Sequence, residues 1–411
     1  MATSFRRLWF EPRRSSFRHW IFLVHQWAGV GVGLYFAMMG LTGSISVFLP
    51  ELRNTLVAPV SAPTGSQKIG LQALQSNIEE MSPWLRLRAV YPGLTANQAD
   101  LFEEQSSDRT VREIAIDPYN AHILVDRRRG ATLYDRVRDL HANLLNGDAG
   151  KTINGCCGIL LLLTGLTGLV VWWPGKRHMN RNTFRVSVRK GLHRLSFDFH
   201  RLAGVLVVVP LSVAAVSGIG MALPHLADKA VSAVLGPAAK AFHPTETLTP
   251  KYASLDRILQ AARERIPAAT ATRIQAPSPR NRDFVVFMHL PGDWRDEGDN
   301  RVLVEADNAA IREVQLGTQL PLSSRVIAGM ASVHYGQYGG IPTRVFALLV
   351  GLTIPFLYAT GMVLWWRRAF RRPLGGSGST TRAGPVPIAS QRIGTIPEET
   401  FELDPARSAG C

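Results

Sequence analysis

The chain has 411 residues, 46% of them hydrophobic, with a formal net charge of +15 and three cysteines. So few cysteines, two of them adjacent, exclude a disulfide-stapled secreted scaffold. Uncharged apolar runs of bilayer length exclude a purely water-soluble protein.

Residues 1–20 form a basic arm carrying Arg6, Arg7, Arg13, Arg14 and Arg18. The run Ile21–Leu49 predicts a first transmembrane helix, residues 21–49; it is far longer than a signal-peptide core and no small-residue cleavage site follows, so it reads as an anchor. Residues 50–151 read as an external α+β module, with a helix near Ile69–Glu80, strands near Leu85–Tyr91 and Val111–Ile116, and the turn DPYNAHILVD leading into another strand. The amphipathic stretch ATLYDRVRDLHANLL then places His141 on a helix that NGDAG breaks. Residues 152–173 are the second span, within which Cys156 and Cys157 read as small hydrophobes. Residues 174–197 are a basic loop holding Lys176, Arg177, Arg181, Arg185, Arg189, Lys190 and Arg194. Residues 198–223 are the third span. Residues 224–342 read as a second α+β module, with a helix near Leu255–Ile266, strands near Asp283–His289 and Arg301–Glu305, ADNAAIREV as the turn, and SSRVIAGMASVH leading to His334. Residues 343–366 are the fourth span, and 367–411 a Gly-, Ser-, Pro- and Thr-rich tail that reads as disordered.

The apolar runs Ile21–Leu49, Ile153–Trp173, Leu202–Leu223 and Val345–Trp366 contain no Asp, Glu, Lys or Arg. Short basic flanks face the cytoplasm, so both termini are expected inside and both modules outside. The cations sit beside membrane spans, and no nucleic-acid partner is expected.

The sequence repeats itself. VHQWAGV in span one matches FHRLAGV in span three, and both His25 and His200 are followed by glycines at offsets of 4 and 18, Gly29 and Gly43 in one copy and Gly204 and Gly218 in the other. His141 and His334 precede spans two and four. From each, a glycine, a cation (Lys151 or Arg344), Thr-Gly (Gly168 or Gly361) and Trp-Trp recur at offsets of 6, 10, 26 and 31. The expected fold is therefore a membrane α-helical bundle of four transmembrane helices with two extracytoplasmic α+β modules, built by internal duplication. A pseudo-twofold axis along the membrane normal would pair His25 with His200 near the inner surface and His141 with His334 near the outer one.

Inward histidines on facing helices of a bundle can hold haem, each imidazole filling one axial position. Glycines at Gly43, Gly168, Gly218 and Gly361 leave gaps between helices. Lys151 and Arg344 are placed either to pair with haem propionates or to snorkel toward water. Zinc or copper would call for more converging donors. His19 and His193 fall outside the repeat, and His122, His178, His225, His243 and His289 have no counterparts.

The stretches VHQWAGVGVGLYFAMMGLTGSISVF, LHANLLNG with LTGLTGLVVWWPG, FHRLAGV with AVSGIGM, and VHYGQYGG with YATGMVLWWRR together resemble the PepSY-associated transmembrane family of bacteria. IAIDPYNAHIL is similar to the strand-turn-strand end of a PepSY module. The resemblance spans about residues 19–368 and implies an inner-membrane, iron-regulated protein or ferric-siderophore reductase with two haem b groups ligated by His25, His141, His200 and His334. Ser217-Gly218 departs from the usual Thr-Gly, and no stretch reads as the flavin reductase domain that some relatives carry. The expected function is electron transfer from a quinol or cytoplasmic flavoprotein, through the lipid bilayer, to a ferric siderophore or other ferric chelate outside. The alternative is a non-enzymatic PepSY sensor or regulator of a peptidase or envelope ligand.

Overall fold

The computed structural model describes residues 16–48, 51, 60–63, 65–189, 191–239, 252–278 and 281–370. The arm's Arg6, Arg7, Arg13 and Arg14, together with Lys190, His243 and the tail beyond Phe370, lie outside the described residues.

Apolar side chains without a charge can bury only in lipid or against one another, and a helix satisfies every backbone group internally. Among the described residues three helices are long and apolar enough to cross a bilayer: α5 (Gly147–Trp172), α6 (Leu192–Ala222) and α10 (Gly340–Phe370). Each is longer than the apolar run that predicts it. The first expected span is broken into α1 (Ser16–Gly31) and α2 (Gly33–Ser46), which meet at an angle of 62° and together pass the same test. The break has a cause. Val32 leaves helical geometry at φ −115°, ψ 1°, between two glycines, and the Tyr358 ring lies so close to Gly33 that a β-carbon there would stand 2.6 Å from Cδ2.

Small residues set how closely these helices approach. Gly40 of α2 crosses α10 at Gly351, where a β-carbon would lie 2.5 Å from the Gly351 carbonyl oxygen, and Ser44 Oγ donates to Leu348 O at 3.0 Å. On the other side, Gly155 and Gly158 of α5 take up Leu223 and Ile219 at the end of α6. Large apolar side chains such as Leu163, Leu206, Val209 and Leu349 stay on the outside of this assembly, as a lipid-facing surface requires.

Between the apolar helices the chain forms α3 (Leu71–Met81), β1 (Arg86–Tyr91), β2 (Asp100–Gln105), β3 (Val111–Ile116), β4 (Ile123–Arg128) and α4 (Leu133–Asn143). After α6 come α7 (Pro224–Leu235), α8 (Leu255–Arg265), β5 (Thr270–Gln275), β6 (Phe284–His289), β7 (Asn300–Val304), β8 (Ile311–Gln315) and α9 (Leu322–Tyr335). The two expected modules are not separate. All eight strands join one antiparallel sheet in the order β4-β3-β2-β1-β5-β6-β7-β8, sealed at its centre by Ala89↔Gln275 and Val90↔Ile274. Helices α3 and α8 cover one face, where Leu74, Ile78, Ile258 and Ala262 meet Val90, Phe102, Ile274, Val286, Met288 and Val302 in a single core. The halves also cap each other. The Asp256 carboxylate of α8 accepts from the first amides of α3, Leu71 N and Gln72 N, and Gln72 Oε1 accepts from Leu255 N. A carboxylate there satisfies orphan amides at a positive helix end.

One core position is polar. Glu104 on β2 is fully buried, neither of its oxygens has a hydrogen-bond partner among the described residues, and Gln75 nearby spends its amide on Glu79. Burial, with the Glu79 charge adding to it, pushes the Glu104 carboxyl up to about 7 from an ordinary 4.5. Because the folded value lies above the unfolded one, the stability present below pH 4.5 is lost as pH rises through about 7. Glu104→Gln should therefore leave the thermal midpoint near wild type at pH 4.5 and raise it by roughly 5 °C at pH 8; equal midpoints at pH 8 would contradict this account.

Candidate functional site: two histidine pairs

Four histidines converge two by two. His25 of α1 and His200 of α6 have ring centroids 6.3 Å apart at an interplanar angle of 77°. His141 of α4 and His334 of α9 have centroids 6.1 Å apart at 40°. Neither pair is adjacent in sequence, and each joins one element from each half of the chain.

Every ring is held in the same way. His25 Nδ1 lies 3.0 Å from Thr164 O and 3.2 Å from Thr167 Oγ1 on α5. His200 Nδ1 lies 3.0 Å from both Leu357 O and Thr360 Oγ1 on α10. His141 Nδ1 meets Met39 O at 3.1 Å and Thr42 Oγ1 at 3.3 Å on α2, and His334 Nδ1 meets Ala214 O at 2.9 Å and Ser217 Oγ at 3.2 Å on α6. A carbonyl oxygen only accepts, so each Nδ1 carries the proton and donates it. Each hydroxyl gives its own proton to a carbonyl one turn back in its helix, Thr167 to Thr164, Thr42 to Met38, Ser217 to Val213 and Thr360 to Phe356. Its lone pair is left for the imidazole. Nε2 of each ring makes no hydrogen bond among the described residues.

The glycine following each hydroxyl makes the approach possible. A β-carbon at Gly168 would lie 2.9 Å from His25 Cε1, at Gly43 2.7 Å from His141 Cε1, at Gly218 2.9 Å from His334 Cε1, and at Gly361 3.3 Å from His200 Cε1. These four glycines thus seat the imidazole itself. Gly29 and Gly204, one turn beyond His25 and His200, face open space, with nothing within 4 Å of a β-carbon at Gly29 and only Leu357 Cδ2 at 3.9 Å from one at Gly204.

The pair nearer the sheet sits on helices outside the apolar spans. Thr132 caps α4 by accepting from Asp135 N, and Leu144 ends it in the left-handed region at φ 54°. Asn154 of α5 donates to the His141 carbonyl and accepts from Tyr35 OH, tying α4 to two apolar helices. Burial pushes the His141 imidazole down to about 4, with His334 adding to the shift, and burial lowers His334 as well. Both are neutral at pH 7, the form that ligates.

The two cations of the repeat differ. Arg344 makes a bidentate ion pair with Glu51, donates to Val47 O and lies 5.0 Å over the Phe48 ring, so it fastens the start of α10 to the end of the first apolar segment. Lys151 makes no hydrogen bond or ion pair among the described residues. His19 is exposed. The partners that sequence reading missed are the hydroxyls and carbonyls facing Nδ1; the signal for them was Thr-Gly or Ser-Gly, present four times at matched depth.

The residues 22–368 match the family model described as the PepSY-associated TM region. The chain belongs to that family. This makes it a membrane protein, in keeping with its long apolar helices. No curated protein matches the chain significantly. For this PepSY-associated protein the chemistry of the donor set can be tested on the residues themselves. Among the described residues no three His, Cys, Asp or Glu gather as a bare metal ion would want. Each pair instead brings two imidazoles together with ring centroids 6.3 and 6.1 Å apart and both Nε2 atoms without a hydrogen-bond partner among the described residues. A set of two neutral nitrogen donors would suit an iron whose remaining donors come from a bound macrocycle rather than from the chain.

Histidine ring 15N spectra of the protein without added iron porphyrin should show all four rings neutral and protonated on Nδ1. Gly168→Val should displace His25 and move its resonances while the other three stay in place; unchanged His25 signals would contradict the packing described.

Proposed function

We propose that this protein is a di-haem b electron-transfer protein of the bacterial inner membrane that reduces a ferric siderophore or another ferric chelate on the periplasmic side. The observation that carries the reading is the twofold recurrence of an imidazole pair, with every Nδ1 tied back to a carbonyl and every Nε2 without a hydrogen-bond partner among the described residues. On this reading α1 with α2, α5, α6 and α10 are four spans related by an internal duplication, with both termini in the cytoplasm because the basic flanks lie there.

His25 with His200 would hold one haem at the cytoplasmic level, and His141 with His334 a second at the level of the sheet. When bound, haem supplies one-electron chemistry at each level. The chain's own part is positional. The Nδ1–carbonyl bonds fix ring orientation and raise the donor strength of Nε2, as an acceptor bound to the far ring nitrogen does for metal-bound histidines. The apolar helices exclude water from the inner pair. Gly29 and Gly204 leave room beside it, and Lys151 keeps its ammonium free for an anionic group at the outer level. An electron from a quinol or a cytoplasmic flavoprotein converts Fe(III) to Fe(II) in the chelate, and hard oxygen donors hold the less charged ion weakly, so iron is released.

The test uses the full chain purified in detergent. It should carry two haem b per chain, and vesicles loaded with an internal reductant should reduce external ferric citrate. His141→Ala and His334→Ala should each cut that rate at least about tenfold while leaving one haem. A colourless protein, or outer-pair variants with undiminished reduction, would refute the proposal; the former result favours a non-enzymatic regulator anchored by its helices.

A further inference from the structure

The sheet face opposite α3 and α8 carries charge, and its two halves solve the charge problem differently. In the first half Glu103 of β2 pairs in register with Glu113 of β3, and both are buried. Cations close this row. Glu103 takes Arg129 at 3.3 Å, Arg88 at 3.9 Å and the Tyr91 hydroxyl at 3.4 Å, and Glu113 takes Arg127 at 2.9 Å.

The corresponding row of the second half runs Arg273 of β5, Phe287 of β6 and Arg301 of β7, each in register with the next. Phe287 stands where Glu103 stands in the first half, and Arg301 stands where Glu113 does. The row thus has a ring in place of one carboxylate, a guanidinium in place of the other, and a second guanidinium, Arg273, where the first half has Ala89. Their carbons lie 5.0 Å (Arg273) and 5.2 Å (Arg301) from the centroid of the buried Phe287 ring. Arg273 reaches one acid, Glu297 at 3.4 Å, and its buried Nε finds no acceptor among the described residues. The Arg301 side chain makes no ion pair or hydrogen bond among the described residues. Burial, followed by repulsion from Arg295 and then Arg273, holds its pKa below the ordinary value against the attraction of Glu297 and Asp299. Three guanidinium groups, Arg273, Arg295 and Arg301, thus share two carboxylates, Glu297 and Asp299, and the cluster keeps an excess of positive charge beside the ring.

We propose that Arg273, Phe287 and Arg301 form a seat for a small polycarboxylate anion on the sheet. Guanidinium forks match carboxylate geometry and bind it in pairs. The ring beneath them holds both planes and keeps water from one side. The two arginines stand on strands two apart, a spacing of about 10 Å, which suits an anion with several carboxylates better than a single small ion. The seat rests on the sheet alone and not on haem; if the reading above also holds, it selects anionic ferric chelates over cationic ones.

The probes are citrate, ferric citrate and inorganic phosphate, titrated calorimetrically into the full detergent-solubilised chain at low ionic strength. Citrate or ferric citrate should bind with an affinity that falls as salt is added, and phosphate more weakly. Arg273→Gln and Arg301→Gln should each weaken citrate roughly tenfold, Arg301→Lys should lie between, and Arg112→Gln on the opposite face should match wild type. Thermal midpoints equal to wild type establish that the variants fold; if Arg301→Gln does not, Arg301→Lys and Arg273→Gln carry the comparison. Phosphate binding as tightly as citrate would overturn the polycarboxylate assignment. Absence of binding by all three probes, or wild-type citrate affinity in the arginine variants, would overturn the seat. His334→Ala should keep the citrate affinity; its loss there would move the anion to the histidine level and also overturn the seat.

Discussion

A hydrogen bond from imidazole Nδ1 to a backbone carbonyl, made across two helices, is the interaction on which the rest depends. Ordinarily the carbonyl one turn back in a helix is spent on its own ladder, but it keeps a second lone pair, and the hydroxyl three residues further along adds another. A glycine next to that hydroxyl removes the only atom that would keep the ring away. The result is a socket of carbonyl, hydroxyl and bare Cα that fixes ring position, tautomer and the direction of Nε2 together. The chain builds this socket four times, on α5 for His25, on α2 for His141, on α6 for His334 and on α10 for His200. Each socket is also a bond between helices, so the packing of the apolar elements and the placement of the four imidazoles are one constraint.

The sheet obeys a different logic. It joins two similar halves through a short β1–β5 pairing and through the mutual capping of α3 and α8. The similarity of the halves is what makes their differences informative. Where the first half buries two carboxylates and surrounds them with arginines, the second buries an aromatic ring and leaves arginines beside it. A shared backbone with a carboxylate in one half and a guanidinium in the other at the matched positions 113 and 301 points to different duties for the two halves.

Much of this was legible in the sequence. The spacing of His25 to Gly43 and of His200 to Gly218, and the matched series that follows His141 and His334, sort four histidines into two pairs. The apolar runs around residues 153–173, 202–223 and 345–366 read directly as helices. Other features left no readable pattern. Strand β2, DLFEEQ, does not alternate, because Glu104 points into the core and Glu103 into a nest of arginines. Strand β5, TATRIQ, is too polar for a central strand by composition, and its place follows from backbone pairing to β1. The merger of the modules rests on two residue pairs that no periodicity announces. The break at Val32 depends on Tyr358, more than 300 residues away, and helix α7 follows α6 so closely that its start is hidden in one continuous apolar stretch. The socket hydroxyls were visible as repeated Thr-Gly and Ser-Gly pairs, but their task is set by tertiary contact.

The most direct test of the central claim is low-temperature electron paramagnetic resonance of the oxidised, haem-reconstituted full chain. Two low-spin ferric signals of the bis-imidazole type should appear, one lost with either His25→Ala or His200→Ala and the other with either His141→Ala or His334→Ala. High-spin iron alone, or a signal that survives loss of both members of its assigned pair, would contradict the account.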